Sequence, residues 1–119
     1  MTREAIEKHI FKTYGCAPDY PWMKYPSYAV YRHGDNRKWF VVVMHLPKRK
    51  FGIDADGGVD VMNVKCDPVL LNALLSKKGF FPAYHMHKGS WISILLDGSV
   101  EHGQIQGLID ISFNLTMKR

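Results

Sequence analysis

The chain has 119 residues, of which 46% are hydrophobic, 13% aromatic and 23% charged. This is the composition of an ordinary globular protein, so we predict a single domain over residues 1–119 and exclude disorder, collagen and coiled coil. Sixteen Lys and Arg against 11 Asp and Glu give a net charge of +5, which favours polyanionic partners in general without identifying one.

The first predicted element is an amphipathic helix. Thr2 is a favoured N-cap, and Ile6, Ile10 and Tyr14 recur at the four-residue spacing of one helix face. Gly15 is predicted to end the helix, because glycine readily adopts the left-handed conformation of a helix terminus.

The segment 16–26, the proline-rich segment below, holds three prolines among its aromatic residues. Neither a helix nor a central strand can pass through these prolines. With Tyr20, Trp22 and Tyr25 between the prolines, we therefore predict an ordered, aromatic-rich loop that packs on another part of the domain.

Residues 28–33 and 38–46 are predicted to form a hairpin, with a tight turn at 34–37 and an end at Pro47. A turn rich in Asp and Gly then precedes a third strand at 59–66.

Asp67 and Pro68 predict the start of a second helix, with Asp67 as the N-cap and Pro68 at the first helical position. This structural role accounts for both residues. Gly79 is the predicted C-cap, and the predicted buried face consists of Leu70, Leu71, Leu74 and Leu75.

The rest of the chain predicts a second hairpin and a last helix. Strands at 83–88 and 91–96 are expected to be joined at Gly89 and Ser90, and residues 97–99 lead into the helix. Its apolar face predicts four buried residues: Ile105, Leu108, Ile109 and Leu115.

This order of elements predicts an α+β two-layer sandwich, in which the helices pack on one face of an antiparallel sheet. The other face is expected to be open and partly apolar, since residues 38–46 are apolar on both sides. Such a face can form a dimer interface, a ligand groove or a nucleic-acid platform, or it can be buried under the proline-rich segment.

Neither a membrane span nor secretion is indicated. The longest apolar run, residues 39–44, is far shorter than the roughly 20 residues that a span needs, and Glu4 and Glu7 lie where a signal peptide is apolar. We expect a cytoplasmic protein with no membrane partner, and Cys16 and Cys66 as free thiols.

The sequence contains no nucleophile elbow, phosphate loop, dinucleotide fingerprint or paired-carboxylate motif, so we predict no enzymatic activity, no catalytic residue and no cofactor. His85 and His87 are two apart, as a metal pair on a strand would be. A third ligand is available only if the fold brings Cys66 or His45 near, and ordinary hydrogen-bonded histidines are the expectation.

Four segments stand out: Lys38-Trp39-Phe40, Lys65 with Asp67-Pro68, Tyr84-His85-Met86 with Lys88 and Trp91, and Ser112-Phe113. In this order they resemble the MmcQ/YjbR family, small bacterial proteins to which DNA binding is attributed, over nearly the whole chain. The resemblance implies an α-β(3)-α-β(2)-α fold, similar to secretion chaperones and the CyaY group, and a DNA-binding function.

We therefore predict non-enzymatic nucleic-acid binding with weak sequence specificity, through phosphate contacts and base stacking. The candidate binding residues are Lys38, Lys65, His85, His87, Lys88 and Trp91. The alternative function is a protein-interaction or chaperone-like module that uses the open sheet face for a homodimer or another partner. A third hypothesis is a small-molecule or metal site formed by His85, His87, Lys65 and the aromatic residues of the proline-rich segment.

Several of these residues also have structural explanations. Trp39 and Trp91 can be core residues instead of a stacking platform, and Lys65 can lay its apolar stem along the sheet. Ser112 lies on the apolar face of its helix and is expected to bond back to a carbonyl of the preceding turn.

Overall fold

The computed structural model of the protein describes residues 1–117, and within them three helices lie on one face of a five-stranded antiparallel sheet. The helices are α1 (Arg3–Tyr14), α2 (Pro68–Leu75) and α3 (His102–Leu115). The strands are β1 (Ala29–Arg32), β2 (Trp39–Pro47), β3 (Gly58–Lys65), β4 (Phe80–Pro82) and β5 (Trp91–Leu95), in the spatial order β1-β2-β3-β5-β4. A short 3-10 helix, Lys48–Phe51, follows β2. This confirms the predicted α+β sandwich and its order of elements.

The predicted starts of the first two helices are correct. The Thr2 hydroxyl accepts a hydrogen bond from the Ala5 amide at 3.1 Å, and α1 ends at Gly15 with φ 69°. The Asp67 carboxylate accepts hydrogen bonds from the first-turn amides of Val69 and Leu70, with Pro68 at the first helical position. The starts of α1 and α2 therefore follow from local sequence alone.

The predicted C-cap of α2 is wrong. The helix ends at Leu75, Ser76 is its C-cap, and Gly79 lies beyond it in the turn before β4 with φ 89°. Lys77 already donates its amide to the carbonyl of Leu74, so the chain leaves the helix before it reaches the glycine.

The main core lies between the helices and the sheet. Its largest fully buried side chains include Ile6, Ile10, Phe40, Met62, Ile92, Ile94, Ile105 and Ile109. Leu115, predicted to be buried here, is 37% exposed. The buried stripe of α3 instead continues through Ser112 to Thr116, and this turns Leu115 outward.

The opposite sheet face is covered, so the expectation of an open face is wrong. A second cluster of buried residues lies on it: Val30, Val42, Met44, Leu46, Val59, Val61 and Leu95. Five partly buried side chains pack on this cluster: Trp22 and Tyr28 before β1, Phe51 in the 3-10 helix after β2, and Tyr84 and Met86 in the loop before β5. An apolar surface of this extent gains stability when loops exclude water from it. Burial under the proline-rich segment, one of the alternatives, occurs in part, through Trp22, and residues from other parts of the chain supply the rest of the cover.

The second hairpin is formed by different residues from those predicted. Phe80 pairs with Ile94 and Pro82 pairs with Ile92, whereas residues 83–90 form a loop. His85 has φ 57°, a left-handed conformation that a strand residue does not adopt. The alternation that was to place His85 and His87 on one strand face therefore does not exist.

Ser112 joins α3 to the sheet where β2 is irregular. The register of β1 and β2 shifts between Tyr31 and Arg32, and the ladder of β2 and β3 runs no further than Val41 and Val64. There the Ser112 hydroxyl donates to the Phe40 carbonyl at 2.6 Å and accepts from the Lys65 amide at 2.8 Å. The predicted hydrogen bond to a carbonyl of its own helix is wrong, because the Ser112 hydroxyl bonds the Phe40 carbonyl and the Lys65 amide at the end of the strand ladder instead.

Both cysteines are free thiols, as predicted. Burial, followed by the charge of Asp67, raises the pKa of the Cys66 thiol to about 11. Within residues 1–117, no helix has the length and apolar character that crossing a membrane requires.

Candidate functional site

The loops that cover the second sheet face leave a cavity of about 240 Å³, the aromatic pocket below. Six of its lining residues carry rings: Trp22, Tyr25, Tyr28, Trp39, Tyr84 and His85. Val42, Met44, Asn63 and Met86 also line it. The pocket thus combines aromatic residues that are far apart in the sequence.

The proline-rich segment supplies one wall and is anchored by backbone hydrogen bonds. Asp19 and Val30 exchange amide and carbonyl hydrogen bonds at 2.8 and 2.9 Å, which ties the segment to β1. The ring of Trp22 then stands nearly perpendicular to the rings of Tyr28, at 79°, and Trp39, at 84°. Perpendicular and offset arrangements are the favoured geometries of aromatic pairs, so these rings form a fixed corner.

A closed set of hydrogen bonds holds the opposite wall. The Ser93 hydroxyl donates to the Asn63 side-chain oxygen and accepts from the Tyr84 amide at 2.9 Å. The Asn63 side-chain amide donates to the Tyr84 carbonyl at 3.0 Å. Asn63 and Ser93 are directly opposite each other on β3 and β5, and both are completely buried. They position the backbone of Tyr84, and with it the loop 83–90, over the sheet.

His85 takes its left-handed conformation next to this anchor. Its ring stacks on the ring of Tyr84, with centroids 3.9 Å apart and planes 22° apart. A left-handed residue costs about 1–2 kcal/mol, although histidine is among the side chains that tolerate it. The hydrogen bonds of the Tyr84 amide to Ser93 and of the Tyr84 carbonyl to Asn63 offset this cost and keep His85 at the pocket.

A second depression, the lysine groove below, adjoins the aromatic pocket. It measures about 340 Å³ and is lined by Lys50, Phe51, Phe81, Pro82, Ala83, Tyr84 and Lys88. Tyr84 lines both depressions. Neither has a carboxylate among the lining residues that the structure describes, so lysine is the charged residue type of this surface.

The six predicted binding residues converge only in part. His85 lines the aromatic pocket and Lys88 lines the lysine groove, where its ammonium donates to the Ala83 carbonyl at 2.9 Å. Lys65 and Trp91 are half-buried cross-strand neighbours on the same sheet face, beside the pocket. Lys38 is exposed and directly precedes Trp39.

His87, like Lys38, Lys65 and Trp91, is not among the residues that line either depression. It is exposed, and its ring is 3.2 Å from the Ser90 hydroxyl within the same loop. Its contact is explained by the closure of the loop.

The structure adds residues that the sequence did not single out as a site. Tyr28, between the proline-rich segment and β1, lines the pocket, and Lys50 reaches the groove from the 3-10 helix. The aromatic residues just before Tyr28 were the available signal for it, whereas nothing in the sequence separates Lys50 from the neighbouring Lys48 and Arg49.

The hypothesis of a metal site finds no ligand set. Among residues 1–117, no three His, Cys, Asp or Glu side chains are placed to hold an ion. His45, one of the two candidates for a third ligand, is paired with Asp60 at 2.8 Å. Of the residues named for a small-molecule site, His85, Trp22 and Tyr25 line the aromatic pocket, whereas His87 and Lys65 do not.

The fold and its two depressions define a small α+β domain with an aromatic pocket on its loop-covered sheet face. The YjbR family model matches residues 12–115, and the chain belongs to this family. The Bacillus subtilis protein YyaQ, described as uncharacterized, is 45% identical over 116 residues that cover 98% of either chain.

Solved structures share the fold. The crystal structure of a Pseudomonas syringae protein is 44% identical, with a TM-score of 0.96 over 98% of this chain and 100% of that one. The crystal structure of the Deinococcus radiodurans protein DR2400 has a TM-score of 0.76 at 19% identity, over 99% of this chain and 80% of that one. Both structures support the fold.

Proposed function

We propose that the domain binds nucleic acid, DNA in the first instance, through the surface formed by the aromatic pocket and the lysine groove. The observation that carries the proposal is the shared wall: Tyr84 lines both depressions. A nucleic-acid strand presents an anionic phosphate beside every base, so a binding surface needs cations next to aromatic rings. This sheet face offers the two side by side.

The lysines of this surface are available to phosphates. Within residues 1–117, the salt bridges are made by arginine and histidine, and no lysine takes part in one. The Lys88 ammonium gives one of its three donors to the Ala83 carbonyl and retains two. Lys50 is exposed at the other side of the groove. Each phosphate that they neutralise releases counterions, which favours binding to any sequence.

Weak sequence specificity follows from how the polar side chains are used. Bidentate hydrogen bonds to base edges are a main source of base specificity, and amide side chains provide them for adenine. Asn63 is the amide at the aromatic pocket, and it is buried and bonded to Ser93 and Tyr84. Stacking and phosphate contacts therefore provide the binding. The proposal includes no catalytic step, and it places the domain with nucleic acid in the cytoplasm.

The alternative of a homodimer or protein partner was based on a bare apolar sheet. The loops cover that sheet, and the second buried cluster lies beneath them. A dimer through the sheet face would have to use the loop surface, which the nucleic-acid proposal already uses.

Fluorescence anisotropy of a labelled 12-nucleotide single strand, titrated at several salt concentrations, tests the proposal. We expect affinity to fall with salt at a slope of about −0.7 for each phosphate contacted. Lys50→Ala and Lys88→Ala should each flatten the slope by about one contact.

The matched control is Lys8→Ala. Lys8 is an exposed lysine of α1, in the helical layer away from this surface, and its loss changes the net charge by the same amount. No binding by the unaltered protein at low salt would refute the proposal. An equal effect of Lys8→Ala would show that net charge, and not this surface, attracts the strand.

A further inference from the structure

We propose that the aromatic pocket receives one unpaired nucleobase, so that the domain prefers single strands to duplexes. This inference rests on the proposed function and names its substrate class. A base in a duplex has both faces stacked and its edge paired, and it reaches such a pocket only after leaving the helix. An unpaired base has no such restriction.

The ring geometry suits a flat guest. Trp22 meets Tyr28 and Trp39 nearly at right angles, so a planar ring that stacks on one wall meets the edge of another. Tyr25, which also lines the pocket, stacks on Tyr28 with ring centroids 4.8 Å apart and planes 13° apart, and this holds the Tyr28 ring in place. Aromatic faces accept any base, because every base has a π-face.

The volume limits the guest to one ring system. Pockets for drug-sized ligands measure about 300–1,000 Å³, and this one measures about 240 Å³. A base pair is two ring systems joined in one plane and is too large. The lysine groove continues from the same Tyr84 wall, which leaves a path for the phosphates next to the inserted base.

The charge of the pocket argues against the other common guest of an aromatic cage, a methylated ammonium ion. The Arg32 guanidinium already lies over the Trp39 ring, 5.7 Å from its centroid. It is paired with Asp19 at 3.0 Å, and Asp19 does not line the pocket. Because no carboxylate is among the described residues that line the pocket, this lining offers no anion to a cationic guest, whereas an anionic nucleotide suits the cations nearby.

Three 12-nucleotide probes separate base from backbone: oligothymidylate, a strand of abasic sites with the same phosphates, and a duplex. Anisotropy gives the affinities, and tryptophan fluorescence reports occupation of the pocket. We expect oligothymidylate to bind about tenfold more tightly than the abasic strand, as one stacked base provides. We also expect it to bind more tightly than the duplex, and to quench the fluorescence.

Trp22→Leu should abolish the preference for oligothymidylate and leave binding of the abasic strand unchanged, whereas Trp22→Phe should retain the preference. Trp91→Leu is the matched control, because Trp91 lies half-buried on the same sheet face and lines neither depression. If Trp22→Leu does not fold by circular dichroism, Tyr25→Leu takes its place, since Tyr25 lines the pocket and is 47% exposed.

The outcomes distinguish the two proposals. Equal affinity for oligothymidylate and the abasic strand refutes the base pocket and leaves nucleic-acid binding intact. If no strand binds, the protein is titrated with thymidine monophosphate. Quenching of the tryptophan fluorescence that is lost in Trp22→Leu would assign the pocket to free nucleotides, and it would refute the proposed function but not the base pocket. If no probe quenches the fluorescence, the inference is wrong.

Discussion

Replacing Ser93 with alanine tests whether the buried hydrogen bonds hold the pocket wall. The change removes one hydroxyl and leaves the Asn63 side-chain oxygen and the Tyr84 amide without their partner. A buried polar group without a hydrogen bond costs about 1–3 kcal/mol. Asn63 is completely buried, whereas Tyr84 is half-buried and water can reach it. We therefore expect a loss of about 2–4 kcal/mol, a large fraction of the roughly 5–15 kcal/mol of a typical domain.

Urea unfolding, followed by circular dichroism, measures this loss. Ser90→Ala is the control: its hydroxyl contacts the exposed ring of His87, and such surface changes stay within about 0.5 kcal/mol. In a double-mutant cycle, Asn63→Ala and Ser93→Ala together should cost less than the sum of the two, by about 0.5–3 kcal/mol. If Ser93→Ala costs no more than Ser90→Ala, the hydrogen bonds do not stabilise the wall and the reasoning fails.

Three further predictions concern stability. In urea unfolding, Gly79→Ala should lower the free energy of unfolding by about 1–3 kcal/mol more than Gly98→Ala does. Both glycines have a left-handed φ, but a Cβ at Gly79 would lie 2.5 Å from the Ser99 hydroxyl oxygen, whereas a Cβ at Gly98 would meet open space. Equal costs would show that this clash does not occur. Asp67→Ala should cost about 1 kcal/mol, in the same assay, through loss of the α2 cap, and Asp67→Asn should restore most of it. The pKa of the Cys66 thiol is about 11 in the folded protein against a usual 9.0, so the thiol of the unfolded chain loses its proton at a lower pH. The contribution of Cys66 to stability is therefore fully present below pH 9, and it falls between pH 9 and 11 by at most about 1.4 kcal/mol per pH unit. Unfolding at pH 8 and pH 10 should therefore show a smaller decline for Cys66→Ala, and an equal decline would exclude this thiol as the cause.

Local signals in the sequence identified much of the fold. Thr2 and Asp67 start their helices through hydrogen bonds to nearby amides, and such bonds involve only neighbours in the chain. The order of helices and strands along the chain, and the helical layer, also follow from apolar periodicity and the positions of turns. Prediction failed where a distant contact decides, as at Ser112, whose hydroxyl bonds two strands instead of its own helix.

At the candidate site, too, prediction failed where contacts between distant parts of the chain decide the structure. The loop 83–90 looked like a strand because His85 and His87 alternate with apolar neighbours, yet bonds from Asn63 and Ser93 fix Tyr84 and the loop. Those two residues are 30 positions apart. Periodicity along one segment cannot report such a contact. The pocket depends on the meeting of the proline-rich segment with this loop, so no single stretch of sequence contained it.

The bridge made by Ser112 determines how the domain opens. The Lys65 amide and the Phe40 carbonyl, at the ends of two central strands, have a hydroxyl of α3 as their partner. Helix α3 therefore cannot separate from the sheet while the hydrogen bonding of that sheet end stays complete. Hydrogen exchange at the Lys65 amide becomes a reporter of α3 docking, and α3 and the two strands are expected to open as one cooperative unit.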